Sequence, residues 1–206
     1  DASGTLQVNP DSAVAHMMGF AKEHPDFGVQ GTFFLNMDMG ENTFPGAGSV
    51  AERITYLRTL GLEVGSHTWG HVDFKEHGTQ ADMQKAMGKN EKALEDLLPG
   101  LPFRTLALPY GSRPKDKSLR TLFGEGTWEG TAYRNDGVFA VGAGPSVTPY
   151  DKRFDPLYVE RVRATGKVAA EADLDWWLTE GGTKTWFVSD GDPSTIVVPE
   201  GGDQNL

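Results

Sequence analysis

Two histidines four residues apart are the strongest chemical signal in the sequence. His67 and His71 lie in the run GSHTWGHVDF at residues 65–74, directly after a short predicted strand. On a helical turn this spacing puts both imidazoles on one side, where they can bind one divalent ion. Because five histidines in this length give such a pair by chance roughly one time in ten, surface histidines on a loop stay open as the alternative. A catalytic zinc-type site also needs a third ligand, such as a carboxylate.

A second candidate feature is the tripeptide Pro109-Tyr110-Gly111, which ends another predicted strand. Proline and glycine fix a tight turn there, and such a turn can aim a backbone N–H at a substrate oxygen. An ordinary turn is the alternative. Taken alone, the tripeptide favours the ordinary turn.

Aromatic residues and one acidic turn are weaker signals. Tryptophans can stack on sugar rings, although most tryptophans pack in cores. Trp176 and Trp177 fall in a predicted amphipathic helix, so we expect at least one of them in the core. The turn at residues 189–193 contains Asp190 and either holds a ligand or is simply a capped turn.

Strand and helix patterns alternate along the whole chain with no fixed repeat, which is typical of an α/β protein with a largely parallel sheet. Such a protein carries its active residues at the carboxyl ends of its strands. We find no linker and treat residues 1–206 as one domain. Helices are expected at 10–24, 49–61, 79–98, 115–123 and 168–178, and strands at 28–35, 62–66, 103–108, within 130–141, at 158–163 and at 183–189.

Composition excludes several classes of function. The 29 acidic and 19 basic residues give a net charge of −10, which disfavours nucleic acid as a partner. The absence of cysteine excludes thiol nucleophiles and cysteine zinc sites. No apolar run is long enough for a transmembrane helix. Since the sequence opens on Asp1 rather than methionine, we expect a processed protein or a fragment.

Three segments, in this order, resemble the polysaccharide deacetylase family (the NodB-homology domain, carbohydrate esterase family four). The run GVQGTFF at residues 28–34 is similar to its second strand. The run GSHTWGH at 65–71 closely matches its H-[ST]-x-x-H metal motif, and LPYG at 108–111 is similar to its third motif. The resemblance is good over about residues 10–113. It implies an α/β fold, a distorted (β/α)7-type barrel that lacks its first strand in this chain.

The resemblance also implies a metal site of one aspartate and two histidines. His67 and His71 carry over as ligands, and Thr68 as a supporting hydroxyl. Asp1 corresponds to the family's ligand aspartate, which puts the catalytic base before the chain. The competing assignment makes Asp1 the base and leaves the metal short of a carboxylate. Zinc is the expected metal, with cobalt, nickel or manganese as alternatives, and Tyr110 would offer its backbone N–H to the oxyanion.

Two departures from the family pattern concern catalysis. The family has an arginine at the position of Ala107, which Arg104 or Arg113 would have to replace. The family's late general-acid histidine is also missing, since no histidine follows His77. Asp190 would then take the proton role, as would Asp175 in an alternative assignment. Losing one acid–base partner typically costs 100- to 10,000-fold in rate.

The resemblance implies hydrolytic removal of acetyl groups from N-acetylated, or O-acetylated, carbohydrate by metal-activated water. The expected substrate is a peptidoglycan, chitin-like or xylan-like glycan, in contact with Trp69, Pro109 and Tyr110. A catalytically impaired domain that binds glycan or regulates is the alternative, and a deacylase for a small non-sugar amide is a third possibility. The family also implies an extracytoplasmic location, in the secreted or envelope fraction. The oligomeric state stays open.

Overall fold

The chain alternates helices and strands over most of its length. The computed structural model describes residues 5–25, 28–141, 144–163, 176–177, 190–192 and 194–203. The elements are α1 (Ala13–Glu23), β1 (Thr32–Leu35), α2 (Val50–Thr59), β2 (Glu63–Ser66), α3 (Gln80–Leu97), β3 (Thr105–Ala107), β4 (Glu125–Trp128), β5 (Thr131–Arg134) and β6 (Gly137–Phe139). Short 3-10 helices lie at Met37–Asn42, Pro109–Gly111 and Lys117–Phe123.

The central sheet is parallel and brings several strand ends to one edge. Its order is β1-β2-β3-β6, and every neighbouring pair runs parallel. Val159 adds an isolated parallel bridge to Phe139 beyond β6. The expected mixed α/β architecture with a parallel sheet is therefore confirmed. The closed seven-stranded barrel stays a prediction.

A β-hairpin that the sequence did not predict precedes the last sheet strand. One strand was expected within residues 130–141, whereas the structure has β5 and β6 there and pairs β5 antiparallel with β4. Glu129 and Gly130 form the turn, with φ values of 46° and 83°. Two successive positive φ angles are the mark of the tight hairpin turn. The signal was weak because the first turn residue is glutamate rather than asparagine or aspartate.

Local capping chemistry sets two of the three helix starts as expected. Ser49 and Glu52 form a reciprocal capping box at α2, and the Thr79 side chain caps α3. The expected start of α1 was wrong by three residues, because its N-cap is Ser12. The Asn9 side chain instead accepts from the Asp11 N–H, which makes a turn before the helix.

Three further predicted elements fare differently. The helix expected at 115–123 is a 3-10 helix over Lys117–Phe123, begun by the Asp116 side chain, which accepts from the Ser118 N–H. Of the helix expected at 168–178, only residues 176–177 are described, and they are helical. The strand expected at 183–189 lies outside the described residues. No helix in the described ranges is long and apolar enough to cross a membrane.

Two apolar clusters form the core, and α3 contributes to both. One cluster joins β1 and β2 to α1, α2 and the last turns of α3. The other joins β3 and β6 to the first turns of α3 and to the 3-10 helix at Lys117–Phe123. Its buried members are Phe74, Met83, Ala86, Met87, Leu106, Leu108, Phe123, Tyr133 and Val138.

Asn90 ties α3 to the carboxyl ends of β1 and β2. Its side-chain amide is fully buried, and it donates to the Leu35 carbonyl at 3.0 Å and to the Ser66 hydroxyl at 2.9 Å. Its side-chain oxygen accepts from the Met37 N–H at 2.9 Å. One side chain thus satisfies polar groups at two strand ends, and one of these ends, Ser66, immediately precedes His67.

Candidate active site

The two histidines lie side by side just beyond β2. The His67 and His71 ring centroids are 4.8 Å apart, with the rings at 73° to each other. His67 Nδ1 lies 2.9 Å from the Ala107 carbonyl oxygen at the end of β3. Because a carbonyl only accepts, this bond places the proton on Nδ1 and leaves Nε2 as a free lone pair. An imidazole held in this way by a backbone carbonyl is the usual arrangement of a metal ligand.

The protonation state of His67 also fits metal binding. Partial burial is the largest cause of a lowered pKa, and it outweighs the opposing effect of the bond to Ala107. Electrostatic interactions with His71 and with Arg161 lower the pKa of His67 further. The ring is therefore neutral at neutral pH, which is the form that binds a metal. Two imidazoles, one of them oriented through its other nitrogen, form a donor set that fits zinc.

A strained backbone, and not a helical turn, brings the two histidines together. Residues 67–74 contain no helix, so the reason given for the spacing was wrong although the proximity was right. Thr68 has φ 63° and His71 has φ 49°, and Tyr110 in the neighbouring loop has φ 58°. Non-glycine residues rarely adopt positive φ, and such residues cluster at functional sites. Three of them beside one another support a functional role for this edge of the sheet.

Tyr110 contacts the histidine pair from the next loop. Its ring centroid lies 4.7 Å from that of His71, and two-thirds of its surface is exposed. Among the described residues, none accepts a hydrogen bond from the Tyr110 N–H. The role of this amide as a donor to a ligand oxygen stays a prediction. Pro109, by contrast, is buried at the start of the turn and does not line the cleft described next.

An open cleft of about 520 Å³ adjoins the site. His71, Tyr110 and Trp69 line one side of it, and α3 supplies the other side. Lys89 places its Nζ 4.1 Å from the centroid of the Trp69 ring, a cation–π contact. Tyr110 is exposed and Trp69 is partly buried, and the expected contact of the two rings with a sugar stays a prediction.

The third metal ligand is not among the described residues. They contain no group of three His, Cys, Asp or Glu side chains able to hold a metal ion. Asp1 and Asp175 lie outside the described residues. Asp190 is exposed, and its carboxylate accepts from the Asp192 N–H and the Thr195 hydroxyl, as in a capped turn. No contact in the described ranges links Asp190 to the histidine pair.

Arg104 and Arg113 were the candidates to replace the arginine that the family has at the position of Ala107, and both contact other groups. Arg104 lies at the amino end of β3 and forms an exposed ion pair with Asp136 at 2.9 Å. Arg113 lies over the Tyr158 ring, 3.6 Å from its centroid. Arg161 donates from Nε to the Ala140 carbonyl at 2.8 Å, a contact that sequence reasoning missed. The only signal was its position near the end of the strand expected at 158–163.

Ser112 joins the two loops of the site and was also missed. Its buried hydroxyl accepts from the Phe74 N–H at 2.8 Å and donates to the Pro109 carbonyl at 3.2 Å. The loop that carries His67 and His71 is thus bonded to the loop that carries Tyr110. A serine after Pro109-Tyr110-Gly111 gives no sequence signal of this contact, because its partner is 38 residues away.

The comparison with family models decides the relationship. The model described as polysaccharide deacetylase matches residues 22–122. Residues 22–122 belong to the polysaccharide deacetylase family. This region contains both histidines, Tyr110 and all strands through β3, so the resemblance of residues 10–113 is confirmed for nearly all of its extent.

Solved structures similar to this chain share little sequence with it. A CE4 family pseudoenzyme from Bacillus anthracis is 20% identical over 53% of this chain and 35% of its own, with a TM-score of 0.38. The Streptococcus pyogenes deacetylase PplD is 15% identical over 74% of this chain and 61% of its own, with a TM-score of 0.46. The Xyl-CE4 domain of a multidomain xylanase from the hindgut metagenome of Trinervitermes trinervoides is 18% identical over 55% and 49%, with a TM-score of 0.38. No curated protein matches the chain.

Proposed function

We propose that the protein is a metal-dependent hydrolase that removes acetyl groups from N-acetylated or O-acetylated carbohydrate. The observation that carries this proposal is the histidine pair at the strand ends, with His67 held through Nδ1 by Ala107 so that Nε2 is free. The match of this region to a polysaccharide deacetylase model supports the substrate class. The open cleft with Trp69 and Tyr110 supports a polymer such as a peptidoglycan, chitin-like or xylan-like glycan.

His67 and His71 would hold the metal ion, and Asp1 is the proposed third ligand. Zinc fits the donor set best, with cobalt, nickel or manganese as alternatives. When bound, such an ion supplies Lewis acidity toward the acetyl carbonyl and toward water.

The Tyr110 N–H would stabilise the negative charge that develops on the acetyl oxygen. The strained turn around Tyr110 fixes this donor in place, so little reorganisation is needed during the reaction.

Amide and ester substrates differ in the proton transfer that their hydrolysis needs. The family resemblance implies an aspartate as the base, and Asp1 itself is the alternative to its assignment as a metal ligand. An amide nitrogen must be protonated as it leaves. Asp190 is the acid that the sequence suggested, but its carboxylate already accepts two hydrogen bonds within a capped turn, which disfavours this role. An acetyl ester relaxes this need, because an alkoxide leaves more readily. The proposal includes an extracytoplasmic location, where such glycans are found.

Acetate release tests the proposal. N-acetylglucosamine oligomers and an acetylated xylan are incubated with the full-length protein in zinc or cobalt, and in chelator. We expect release that chelator abolishes and that His67→Ala lowers at least about 100-fold, together with loss of bound metal. His16→Ala is the matched control, because His16 is exposed on α1. A His67→Ala variant with full metal content and full rate would contradict the assignment.

A catalytically impaired glycan-binding domain is the second candidate. Two sequence facts favour it: Ala107 stands where the family has arginine, and no histidine follows His77. In that case the chain binds metal and glycan oligomers but releases no acetate from either substrate. Comparing acetate release with oligosaccharide binding on the same metal-loaded sample separates the two candidates.

A further inference from the structure

Two lysines on α3 give one wall of the open cleft a positive charge. Lys85 and Lys89 both line the cleft that His71 and Tyr110 also line, and they lie four residues apart in the helix. This spacing puts the two side chains on the same helix face, one turn apart. Lys85 is exposed and Lys89 is half-buried. The cleft beside the histidine pair thus holds two ammonium groups.

Trp69 fixes the position of one of these charges. Its backbone N–H donates to the Ala86 carbonyl of α3 at 2.8 Å, which holds this residue against the helix. Three residues further along, Lys89 places its Nζ 4.1 Å from the centroid of the Trp69 ring. A cation held over an aromatic face has less rotamer freedom to lose when a ligand binds it. Since an ammonium has three N–H donors, donors remain for an acceptor in the cleft.

The acidic residues of the same cleft take part in local structure. Asp73 accepts from the Lys75 N–H at 2.9 Å, within a turn. Asp82 accepts from the Thr79 hydroxyl at 2.7 Å in the first turn of α3. Lys89 lies seven residues beyond Asp82, which is about 10 Å along the helix axis. The charge of the helix wall therefore changes from negative at the start of α3 to positive further along.

We propose that Lys85 and Lys89 form a subsite for a carboxylate-bearing sugar unit of the glycan, so that the protein prefers acidic to neutral chains. This inference rests on the proposed function, whose substrate is an acetylated glycan. The protein has a net charge of −10, so the molecule as a whole repels an acidic chain, which needs cations at the point of contact. An ammonium pairs with a carboxylate through charge-assisted hydrogen bonds. A uronic acid branch and a lactyl ether group both supply such a carboxylate, whereas a chitin-like chain has none.

Binding of short oligosaccharides to the metal-free full-length protein tests the subsite separately from catalysis. NMR or calorimetry in chelator compares two matched pairs. One pair is xylotetraose with and without a glucuronic acid branch, and the other is the N-acetylglucosamine dimer and its counterpart with one N-acetylmuramic acid unit. We expect the acidic member of at least one pair to bind at least about fivefold more tightly than its neutral partner. The pair with the larger preference identifies the source of the carboxylate.

Substitutions on α3 assign the preference to the two lysines. Lys89→Met removes the charge but keeps a side chain of similar length, so most of the preference should be lost, whereas Lys89→Arg should keep it. Lys85→Met should lower it as well, and this exposed position carries the test if Lys89→Met does not fold by circular dichroism. Lys92→Met is the matched control, because Lys92 pairs with Asp96 at 2.9 Å on the same helix and does not line the cleft. It should bind all four oligosaccharides like the wild type.

The outcomes separate the subsite from the reaction. Equal binding of acidic and neutral oligosaccharides by the wild type overturns the proposal, as does a preference that survives in both Lys85→Met and Lys89→Met. A preference that Lys92→Met lowers equally also overturns it, because the effect then comes from overall charge. A preference that depends on Lys85 and Lys89, without any acetate release, leaves the subsite standing and contradicts only the proposed function. Acetate release without the preference contradicts only the subsite.

Discussion

At the scale of single residues, Asn90 joins three polar groups near the carboxyl ends of β1 and β2. Its buried amide satisfies the Leu35 carbonyl, the Met37 N–H and the Ser66 hydroxyl at once. Removing a side chain that pairs with buried polar groups costs more than the bonds themselves, because the partners stay buried and unpaired. The consequence reaches the site, since Ser66 immediately precedes His67.

Asn90→Ala is expected to lower the free energy of unfolding by about 2–4 kcal/mol, from unpaired partners and a small cavity. Denaturant unfolding measures the change. The control Asn42→Ala removes an exposed side chain and should change stability by less than about 0.5 kcal/mol. Equal effects of the two substitutions would contradict the role given to Asn90.

Residue types with specific chemistry were predictable, and residues that act through distant partners were not. Spacing and neighbouring motifs singled out His67, His71 and Tyr110, and the structure puts their rings in contact. Asn90 and Arg161 have partners that only the fold brings near, so no local pattern marks them. The positive φ of His71 could not be predicted either, because a histidine in the sequence does not by itself indicate this backbone conformation.

At the scale of elements, the contact of α3 with the β4–β5 hairpin depends on a glycine. A Cβ added at Gly88 would lie 2.4 Å from Trp128 Cβ, whereas a Cβ at Gly19 in α1 would meet nothing within 4 Å. Both glycines lie inside helices, so they differ only in their surroundings.

Gly88→Ala should destabilise the protein by about 1–3 kcal/mol, because α3 and β4 must separate to make room. Gly19→Ala should instead stabilise it by about 0.5–1 kcal/mol through helix propensity alone. Thermal and denaturant unfolding of the pair measures both signs. If Gly88→Ala were as stabilising as Gly19→Ala, the close packing of α3 on the hairpin would be wrong.

A buried acid makes the junction between α3 and β3 sensitive to pH. Glu91 is 7% exposed, and both of its oxygens accept from the Phe103 N–H. Burial raises its pKa from 4.5 to about 7, against the opposing effect of the Phe103 N–H. Because the folded state holds this proton more tightly than the unfolded state, the contribution of Glu91 to stability is greatest below pH 4.5 and is lost as the pH rises toward 7.

Glu91→Gln keeps an acceptor for Phe103 and removes the titration. We expect its free energy of unfolding, relative to wild type, to be about 1–3 kcal/mol more favourable at pH 8 than at pH 5. Glu76→Gln, on an exposed loop, should show no such difference between the two pH values. A parallel pH dependence in Glu91→Gln and wild type would rule out Glu91 as the cause.

Elements defined by local chemistry were the easiest to predict. The caps of α2 and α3 are set by side chains within three residues, and both were found. The hairpin was missed because its turn uses Glu129, and the 3-10 form of Lys117–Phe123 was missed because apolar spacing does not distinguish it from an α-helix. The strand order β1-β2-β3-β6 depends on long-range pairing that periodicity does not contain.

At the scale of the whole molecule, metal binding and folding are expected to be coupled. The ligand pair exists only when β2 and β3 are aligned, because His67 is oriented by Ala107 of the neighbouring strand. A ligand that binds the folded state alone stabilises it by RT ln(1 + [L]/Kd), about 2.7 kcal/mol at 100 times Kd.

Zinc should therefore raise the melting temperature, and chelator should lower it again. His67→Ala and His71→Ala should each abolish the shift, while His16→Ala keeps it. The effect needs no substrate, so it tests the metal site even if no glycan is cleaved. A zinc-induced shift of the same size in His67→Ala would place the bound zinc elsewhere in the molecule.

The hydroxyl of Ser112 has a consequence for protein engineering. This hydroxyl is hydrogen-bonded both to the loop at residues 67–77 and within the loop at residues 109–112. The His71 and Tyr110 rings are in contact between the same two loops. The conformation of each loop therefore depends on the other loop. Exchanging only one of them for the corresponding loop of a relative removes these contacts. A graft that alters specificity must therefore carry both loops together, including Ser112.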